Sequence, residues 1–503
     1  MSATATAPVD IVVPPLGAGT KAAYGAGAMA NGIKSAAFSS YLMLYFNQVV
    51  GVPAAIVGTA LACTLLVDAI VDPFLGRWAD VTRSRLGRRH PFMYAAALPT
   101  TVFFFLTWFP PDGLSHMQLG FWIFAMAAAT RASISAFEIN ASALAPELTE
   151  VYAERTKLFS LRYWFGYAGA YGFTAFSLAF IFIESEAFPK GQLNPASYTN
   201  FATLGAVLIF IAIIVCTRGT QNRIPYLRQA AGSPGDEKMT LREHLAEMFA
   251  AFRNRGFLAI FGFGVFKFTA IGLYSATTLY FGTYLFKLNT GHLALLTLDS
   301  FVAATIAAPL APYFSTKLGK RASSMIFALT GISIGLSPLY LSYFDLFFVP
   351  GDPLLVPTLF VIGAVYMAMI TISLINTAAM LADVVEDSAV ETGTHTAGTF
   401  FSASSFMQQC SNALGIFVAG LVLSWSAFPE QADPATIPDS VIDSLLEHYI
   451  PVIITLWSVG AMILLFYPIT RERHERNVEI LRAREAEARE QQMRDAAIGG
   501  PAR

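Results

Sequence analysis

Charged residues are scarce in this sequence, since Asp, Glu, Lys and Arg make up only 13% of its 503 residues. A soluble globular protein carries about 25%. Hydrophobic residues make up 55% of the chain, and the mean hydropathy is +0.54. This composition excludes an ordinary soluble protein and predicts a chain that crosses the lipid bilayer several times. The net charge of −2 argues against nucleic acid as a partner.

Cysteine is also nearly absent. The three cysteines, Cys63, Cys216 and Cys410, are far apart and lie in apolar segments. This arrangement indicates neither a disulfide framework nor a CxxC metal site, and we expect the three to be packing residues. Residues 1–21 lack the basic region and apolar run of a signal peptide. We expect them to form a disordered cytoplasmic tail.

Signatures of catalysis are missing too. The sequence has no GxxxxGK[ST] motif, so ATP hydrolysis is not expected. It also shows no ordered catalytic triad and no cluster of metal-ligating residues. We therefore expect a protein that is not an enzyme and needs no cofactor.

Apolar runs long enough to cross a bilayer recur along the chain. The twelve predicted spans are 22–48, 54–76, 91–109, 118–146, 160–184, 199–217, 256–286, 292–316, 322–344, 356–383, 396–426 and 446–469. The longest polar interruption divides them into six and six. The predicted domains are an N-terminal tail (1–21), a six-helix bundle (22–217), a cytoplasmic linker (218–255), a second six-helix bundle (256–469) and a charged cytoplasmic tail (470–503).

The basic residues predict the orientation of these spans. With the N-terminus in the cytosol, 26 of the 32 Lys and Arg residues fall in cytoplasmic segments, and the opposite loops hold only Lys190 and Lys287. Cytoplasmic loops carry such an excess of Lys and Arg. Both termini are therefore predicted to be cytoplasmic, in a multi-pass protein of a bacterial inner membrane.

An internal repeat supports the division into two bundles. The sequence Arg-Leu-Gly-Arg-Arg at 85–89 follows the second span, and Lys-Leu-Gly-Lys-Arg at 317–321 follows the eighth, 232 residues later. Two repeated six-helix bundles are the plan of the major facilitator fold. The predicted fold class is an all-α membrane protein with twelve transmembrane helices.

Eight charged residues are candidates for a position within the membrane. The acids are Asp68, Asp72, Glu138 and Asp299, and the bases are Lys34, Arg131, Arg162 and Lys267. A charged side chain at the bilayer centre costs about 2.5–3.5 kcal/mol on insertion scales. This near-balanced set predicts charges that pair around a shared polar cavity rather than face lipid.

Asp68 and Asp72 are four residues apart and project from nearly the same helix face. Carboxylate oxygens suit a small hard cation such as Na⁺, and two neighbouring carboxylates also suit a proton carrier. The pair is therefore a candidate site for either coupling cation. The alternative for Asp72 is a cap at the cytoplasmic helix end before Pro73.

Glu138 and Arg162 lie in the fourth and fifth spans. A carboxylate and a guanidinium on adjacent helices can hydrogen-bond sugar hydroxyls; the alternative is a structural ion pair. Lys34 and Lys267 are candidates for counter-ions of the acids or for contacts to an anionic substrate. Asp299 is either a structural residue near a membrane surface or a functional acid within the membrane.

The tenth and eleventh spans are joined by an acidic loop. It contains Asp383, Glu386, Asp387 and Glu391 without a local Lys or Arg. We expect these acids to pair with the basic loops and latch the two bundles in an outward-open state, or to be simply solvated. The tail after Thr470 is helix-prone and mixed in charge, which predicts a solvated helix or a regulatory partner site.

Several of these segments resemble a known family. The sequence YGAGA at 24–28, YLMLY at 41–45 and VVG at 49–51 is similar to the first helix of the melibiose permease type. Asp68-Ala-Ile-Val-Asp72-Pro73 and the following loop, which includes Asp80, Arg83 and Arg88, resemble that family's second helix and 2–3 loop. Leu-Ala-Asp at 381–383 with Glu386 and Asp387 resembles its 10–11 loop. The family is the glycoside–pentoside–hexuronide:cation symporters.

The resemblance implies cation-coupled sugar symport by alternating access. It implies a cation site at Asp68 and Asp72, completed by Ser135, and sugar contacts at Glu138 and Arg162. It also implies gating roles for Asp80, Arg83, Arg88, Asp383, Glu386 and Asp387.

The sequence departs from the family at four positions. The family's first-helix sugar-binding aspartate falls on Gly32, and the lysine before it on Asn31. A lysine of the eleventh helix falls on Gln409, and an aromatic platform on Ser142. The candidate substrate contacts therefore differ in charge from those of the family, and they are Asn31, Lys34, Lys267 and Gln409. The excess of internal basic residues suits a substrate with a negative charge, such as a uronide.

The sequence thus predicts a secondary transporter, Na⁺- or H⁺-coupled, for a sugar or glycoside, acting as a monomer. The main alternative is a transporter of lysolipids or other amphiphiles on the same scaffold, since related animal proteins carry lysolipids and the chain has 42 Phe. A second alternative is a non-transporting sensor, for which the short tail is a poor output domain.

Overall fold

The computed structural model describes residues 14–82, 84–149, 152–227, 252–392 and 397–498. These residues form helices and connecting turns, and no β-strand occurs among them. The α-helices are α1 (Ala18–Ala26), α2 (Ala28–Ala36), α3 (Leu42–Leu44), α4 (Ala54–Val81), α5 (His90–Thr107), α6 (His116–Leu148), α7 (Tyr152–Tyr167), α8 (Phe173–Phe176), α9 (Pro195–Gln221), α10 (Arg255–Tyr280), α11 (Thr290–Thr297), α12 (Asp299–Leu318), α13 (Lys320–Gly335), α14 (Ser337–Tyr343), α15 (Leu355–Thr392), α16 (Ala397–Trp425), α17 (Asp439–Leu464) and α18 (Arg471–Ile498).

Eight helical stretches of the described chain are long and apolar enough to cross a membrane. The protein is therefore an integral membrane protein with an all-helical fold. Each predicted span overlaps a described helix, while the count of twelve spans and the cytoplasmic position of the termini stay predictions.

Wider π-helical turns interrupt several of the apolar segments. In the first segment they occupy Ala37–Tyr41 and Tyr45–Val50, and in the fifth Ala168–Gly172 and Ser177–Ile181. Another, Phe281–Leu285, extends α10. Such turns contain an extra residue and often occur near functional sites.

Local sequence explains where several helices begin. Ser115 and Gln118 form a reciprocal capping box at the start of α6. Asn194 caps α9, whose first residue is Pro195, and the side chain of Asn254 accepts a hydrogen bond from the Phe257 N–H at the start of α10. These polar caps satisfy backbone N–H groups at the helix ends.

The contacts divide the chain into two compact units. The first comprises Met1–Glu237 and Asn289–Ala294, and the second Lys238–Leu288 and Leu295–Arg503. In the first unit α6 packs along α4 and α5, while α1 and α2 pack against α7 and α9. In the second unit α10 packs along α16 and α17, and α15 packs along α12 and α13.

Glycines allow two helices of the first unit to approach closely. A Cβ atom at Gly32 on α2 would lie 2.2 Å from the carbonyl oxygen of Gly166 on α7. A Cβ atom at Gly169 would lie 2.7 Å from the carbonyl oxygen of Met29. Only residues without a side chain fit these positions, so the backbones of the first and fifth segments are in direct contact.

The second unit repeats this contact between α10 and α16. A Cβ atom at Gly272 would lie 2.0 Å from the carbonyl oxygen of Asn412, and one at Gly415 would lie 2.1 Å from that of Thr269. These helices contain the first and fifth apolar segments of the second half. The duplication seen in the basic loops therefore extends to helix packing.

The tail helix α18 packs against the end of α15. Thr470 caps it, because its Oγ1 accepts a hydrogen bond from the N–H of Arg473. The sequence predicted a helix here, and a helix is present. One of its faces contacts α15 rather than solvent alone.

Candidate functional site

Arg162 on α7 is the centre of a buried polar cluster in the first unit. Its residue is 6% exposed. Nη2 donates hydrogen bonds to Glu138 Oε1 and, at 3.4 Å, to Ser142 Oγ, both on α6. The guanidinium carbon lies 5.3 Å from the centre of the Tyr24 ring on α1. Three helices thus contribute to one cluster, which we call the arginine cluster: Tyr24, Glu138, Ser142 and Arg162.

Both charged members of the arginine cluster retain an unused polar atom. Glu138 Oε2 and Arg162 Nη1 are buried, and neither has a hydrogen-bond partner among the described residues. Buried polar atoms are normally hydrogen-bonded. The cluster thus retains one acceptor and one donor, which are the two kinds of group that a hydroxyl can bond, because it donates one hydrogen bond and accepts others.

Tight packing of α1 on α7 explains the place of Tyr24. A Cβ atom at Gly25 would lie 2.8 Å from the Phe165 ring and 3.0 Å from Leu161 Cβ. This close contact brings the neighbouring Tyr24 ring over the guanidinium of Arg162, which is adjacent to Leu161 and three residues from Phe165. The contact of Arg162 with Glu138 was one of the two sequence readings, but nothing in the one-dimensional pattern pointed to Tyr24.

The predicted cation residues lie on α4 and α6, which pack along each other. Asp68 and Asp72 are on α4 and Ser135 is on α6. The side chain of Asp72 is half-buried and that of Ser135 partly buried. The side chain of Asp68 lies outside the described residues, so the cation site stays a prediction.

Two other candidate substrate contacts, Asn31 and Lys34, are on α2. Asn31 Oδ1 accepts a hydrogen bond of 3.4 Å from the side chain of Ser35, and Lys34 is buried. Because a Cβ atom at the intervening Gly32 would meet Gly166, this helix cannot present an acid at residue 32 in the present packing. Arg131 on α6 is partly buried.

The second unit has a different buried cation. Lys267 on α10 is 2% exposed, and its Nζ lies 4.7 Å from the centre of the Phe263 ring and 4.8 Å from that of Phe268. No carboxylate contacts it among the described residues. Gln409 on α16 is exposed, and Asp299 accepts a hydrogen bond from Ser300 at the start of α12.

Ion pairs hold the turn between α4 and α5 to the end of α6. Arg88 Nη2 lies 2.6 Å from Glu147 Oε1, and Arg89 Nε lies 3.4 Å from the same oxygen. The neighbouring gating candidate Arg83 and the side chain of Asp80 lie outside the described residues.

The acidic end of α15 is paired within the second unit. Lys320 Nζ donates to both oxygens of Asp383, at 2.6 and 2.8 Å. Asp387 accepts two hydrogen bonds from Arg473, at 2.7 and 2.8 Å, and one from Asn477 at 2.7 Å. A latch between the bundles stays a prediction, because these partners all belong to the second unit.

The tail contacts were missed at the sequence level. Arg473 and Asn477 are four residues apart and therefore share a helix face, while their partner Asp387 is 86 and 90 residues away. Nearby, the Tyr467 hydroxyl donates a hydrogen bond to the Met380 carbonyl oxygen at 3.1 Å.

The sequence profile of the family described as MFS/sugar transport protein matches residues 23–471, which includes both units. The chain belongs to the MFS/sugar transport protein family. Members of this family are membrane transporters, and the match agrees with the resemblance to the glycoside–pentoside–hexuronide:cation symporters.

Proteins named as a symporter, a transporter and a carrier are similar to this chain over most of their length. An uncharacterized symporter of Synechocystis sp. is 27% identical, with 93% of this chain and 97% of the relative covered. The isoprimeverose transporter of Lactiplantibacillus pentosus is 25% identical, with 86% and 85% covered. The glucuronide carrier protein homolog of Escherichia coli is 24% identical over 90% of this chain and 92% of that protein. These relatives are symporters and sugar carriers.

A relative with another cargo is also similar. The sphingosine-1-phosphate transporter MFSD2B of Mus musculus is 24% identical, with 81% of each chain covered. Among solved structures, the xylose transporter XylE of Escherichia coli superposes with a TM-score of 0.60 at 14% identity, covering 92% of this chain and 98% of that chain. At this identity the likeness establishes the fold alone.

Proposed function

We propose that this membrane protein is a cation-coupled symporter of a sugar or glycoside, and that the arginine cluster binds sugar hydroxyls. The main support is that two buried polar atoms, Glu138 Oε2 and Arg162 Nη1, have no hydrogen-bond partner among the described residues. A hydroxyl placed between them donates to the carboxylate and accepts from the guanidinium. Charge-assisted hydrogen bonds of this kind are stronger than neutral ones.

The arrangement favours binding over a purely structural role for the ion pair. A structural pair that is buried in a membrane protein is stable when its remaining donors and acceptors are also satisfied. Among the described residues, Arg162 Nη2 donates to Glu138 Oε1 and more weakly to Ser142, while Arg162 Nη1 and Glu138 Oε2 have no hydrogen-bond partner. The Tyr24 ring covers one face of the guanidinium, so its remaining N–H groups are directed by packing.

The coupling cation, Na⁺ or H⁺, binds at Asp68 and Asp72 with Ser135. The support is the placement of these residues on α4 and α6, the latter also holding Glu138. Because Ser135 and Glu138 are three residues apart on one helix, cation and sugar sites share a face of α6. Binding of one ligand thereby affects the other, which symport requires.

Uptake into proteoliposomes tests the substrate and the ion together. Neutral glycosides and uronides, each radiolabelled, are offered with an inward Na⁺ gradient, an inward H⁺ gradient or neither. We expect accumulation of at least one sugar with one gradient. Accumulation of no sugar under either gradient would contradict the proposal.

Arg162→Lys tests the arginine cluster, because it retains the charge and loses the planar fork of donors. We expect the KM for the transported sugar to rise by about tenfold or more, since about 1.4 kcal/mol corresponds to a factor of ten. Arg218→Lys on the exposed end of α9 is the matched control. An unchanged KM in a folded Arg162→Lys protein would instead indicate a structural ion pair.

Asp68→Asn separates coupling from transport. We expect gradient-driven accumulation to be lost while sugar exchange across the membrane partly remains. Normal accumulation in this variant would remove Asp68 from the cation site and leave the sugar assignment intact.

A second candidate function is transport of a lysolipid or other amphiphile. It is favoured by the similarity to the sphingosine-1-phosphate transporter of the mouse. The same proteoliposomes, offered a labelled lysolipid, distinguish the two. Lysolipid uptake without sugar uptake would establish this alternative.

A further inference from the structure

We propose that Asp383, Glu386 and His474 form a binding site for a divalent transition metal ion that fastens the tail helix α18 to α15. The three side chains offer one ligand atom each, and these atoms all lie within 4.8 Å of one another. The site lies at the end of α15, apart from the arginine cluster and the predicted cation residues of the first unit. It does not depend on the proposed transport function.

The spacing of the ligand atoms matches metal coordination. Zinc binds His nitrogen at about 2.0–2.1 Å and carboxylate oxygen at about 2.0–2.2 Å, so neighbouring ligands of a tetrahedral ion are about 3.3 Å apart. His474 Nδ1 lies 3.3 Å from Asp383 Oδ1 and 3.1 Å from Glu386 Oε2. Little movement is needed to place one ion within reach of all three atoms.

Two of the ligand atoms are shielded and lack hydrogen bonds. Glu386 Oε2 and His474 Nδ1 are each buried at the atomic level and have no hydrogen-bond partner within the described part of the chain. Their close approach to each other therefore lacks the angles of a hydrogen bond. When His474 is protonated, the two atoms form an ion pair with each other. When His474 is neutral, a shared metal ion gives both atoms a partner.

The two helices hold the ligands in place independently of the ion. Asp383 and Glu386 are three residues apart and project from one face of α15. Arg473, next to His474, is held by two hydrogen bonds to Asp387. Asp387 already accepts three hydrogen bonds from Arg473 and Asn477 and is not a member of the cluster. The ligand set therefore has three residues and an open fourth position.

Lys320 opposes metal binding at one point. Its Nζ lies 2.6 Å from Asp383 Oδ1, the oxygen nearest to His474, and 2.8 Å from Oδ2. A metal ion at Oδ1 leaves Oδ2 for the lysine, and the two cations repel each other. Lys320→Met therefore increases the affinity for the metal.

Calorimetric titration of Zn²⁺ into the full chain, purified without a polyhistidine tag and stripped with EDTA, tests the site. We expect one ion per chain. His474→Ala and Glu386→Gln should each lower the affinity by at least about tenfold, the loss that even an outer-shell change commonly causes. His448→Ala and Glu475→Gln, which lie outside the cluster, are the matched controls and should bind as the parent does.

Three further measurements distinguish a loss of metal binding from misfolding of a variant. Thermal unfolding without zinc should be similar in all variants, and X-ray absorption of the loaded protein should show nitrogen and oxygen ligands at about 2.0–2.2 Å. Zinc should also slow tryptic cleavage of the tail in the parent and not in His474→Ala. Absence of saturable binding, or equal affinity in the folded His474→Ala protein, would overturn the proposal.

Discussion

In the first unit the buried guanidinium of Arg162 is matched by the carboxylate of Glu138, whereas in the second unit the buried ammonium of Lys267 lies against the rings of Phe263 and Phe268. Both units otherwise use the same contact, in which glycines join the first and fifth apolar segments. The duplicated framework has thus been kept while its buried charges have diverged.

This difference between the two buried cations indicates which unit is better suited to bind a polar ligand. An ion pair with unused hydrogen-bonding atoms offers directional contacts to a hydroxyl. Within the described part of the chain, Lys267 lies against two aromatic rings and has no such acceptor beside it, and the ring quadrupoles stabilise its charge. The first unit is therefore the part of the protein with the stronger case for sugar recognition, and Lys267 is suited to contact an anionic group.

The largest expected effect is that of Gly32→Asp, the acid that the family resemblance places at this position. Because even a Cβ atom would lie 2.2 Å from the Gly166 carbonyl oxygen, we expect a loss of more than about 3 kcal/mol, beyond ordinary overpacking. The measurement is thermal unfolding in detergent.

Gly172→Asp is the control for this substitution, because a Cβ atom at Gly172 meets nothing within 4 Å. The counterpart in the second unit, Gly272→Asp, should be as damaging as Gly32→Asp. A stable Gly32→Asp protein would contradict the close backbone contact at residue 32. A stable Gly272→Asp protein beside a destabilised Gly32→Asp protein would refute the equivalence of the two glycine contacts.

Removal of one partner of the buried pair should have the next largest effect. Glu138→Ala leaves the Arg162 charge buried without its carboxylate, which costs about 3–5 kcal/mol in buried pairs. We expect the lower end, because the side chain of Glu138 is 28% exposed. Urea or thermal unfolding gives the value, and Arg162→Met in addition to Glu138→Ala should restore part of the stability.

The pairing of the tail should contribute less. Asp387→Asn weakens the contacts with Arg473 and Asn477, and hydrogen bonds to charged groups contribute about 1.5–3 kcal/mol. We expect about 1–2 kcal/mol, because Arg473 is 42% exposed. Faster hydrogen exchange confined to α18 is the readout, and Glu147→Gln in the first unit should leave α18 unchanged.

The smallest effect is expected for Lys267→Met. Loss of the ring contacts, about 0.5–2 kcal/mol, is offset by removal of a buried charge, so stability should change by less than about 1 kcal/mol. Transport of a uronide should nevertheless fall more than transport of a neutral glycoside. A loss of 3 kcal/mol or more would show that the two units handle buried charge alike.

Much of the framework was predictable from the sequence, because hydrophobic run length and basic loops follow directly from the bilayer. The approach of Glu138 to Arg162 was one of two readings of a charge pair on adjacent spans. Other contacts were not predictable. Helix packing brings Arg473 to Asp387 and Tyr24 to Arg162. These segments are far apart in the chain, and a count of charges does not reveal that they meet.

The prediction that the tail is a solvated helix missed its contact with α15 for a related reason. The tail's charges alternate in sign, which is also typical of an exposed helix. Only the fold places Arg473, His474 and Asn477 on the face of α18 that meets the acidic end of α15. The charge deficit of the 10–11 loop was the one signal of a distant basic partner.

The glycine contact at residue 32 also constrains how this protein can evolve. Any first substitution at that position places an atom against the Gly166 backbone, so the helices must separate before a side chain there can be selected for binding. If the arginine cluster binds the sugar as proposed, substrate range can change more readily through residues around Arg162, such as Ser142 and Tyr24, where side chains already exist. The present packing thus makes the route to a new specificity depend on the order in which mutations arise.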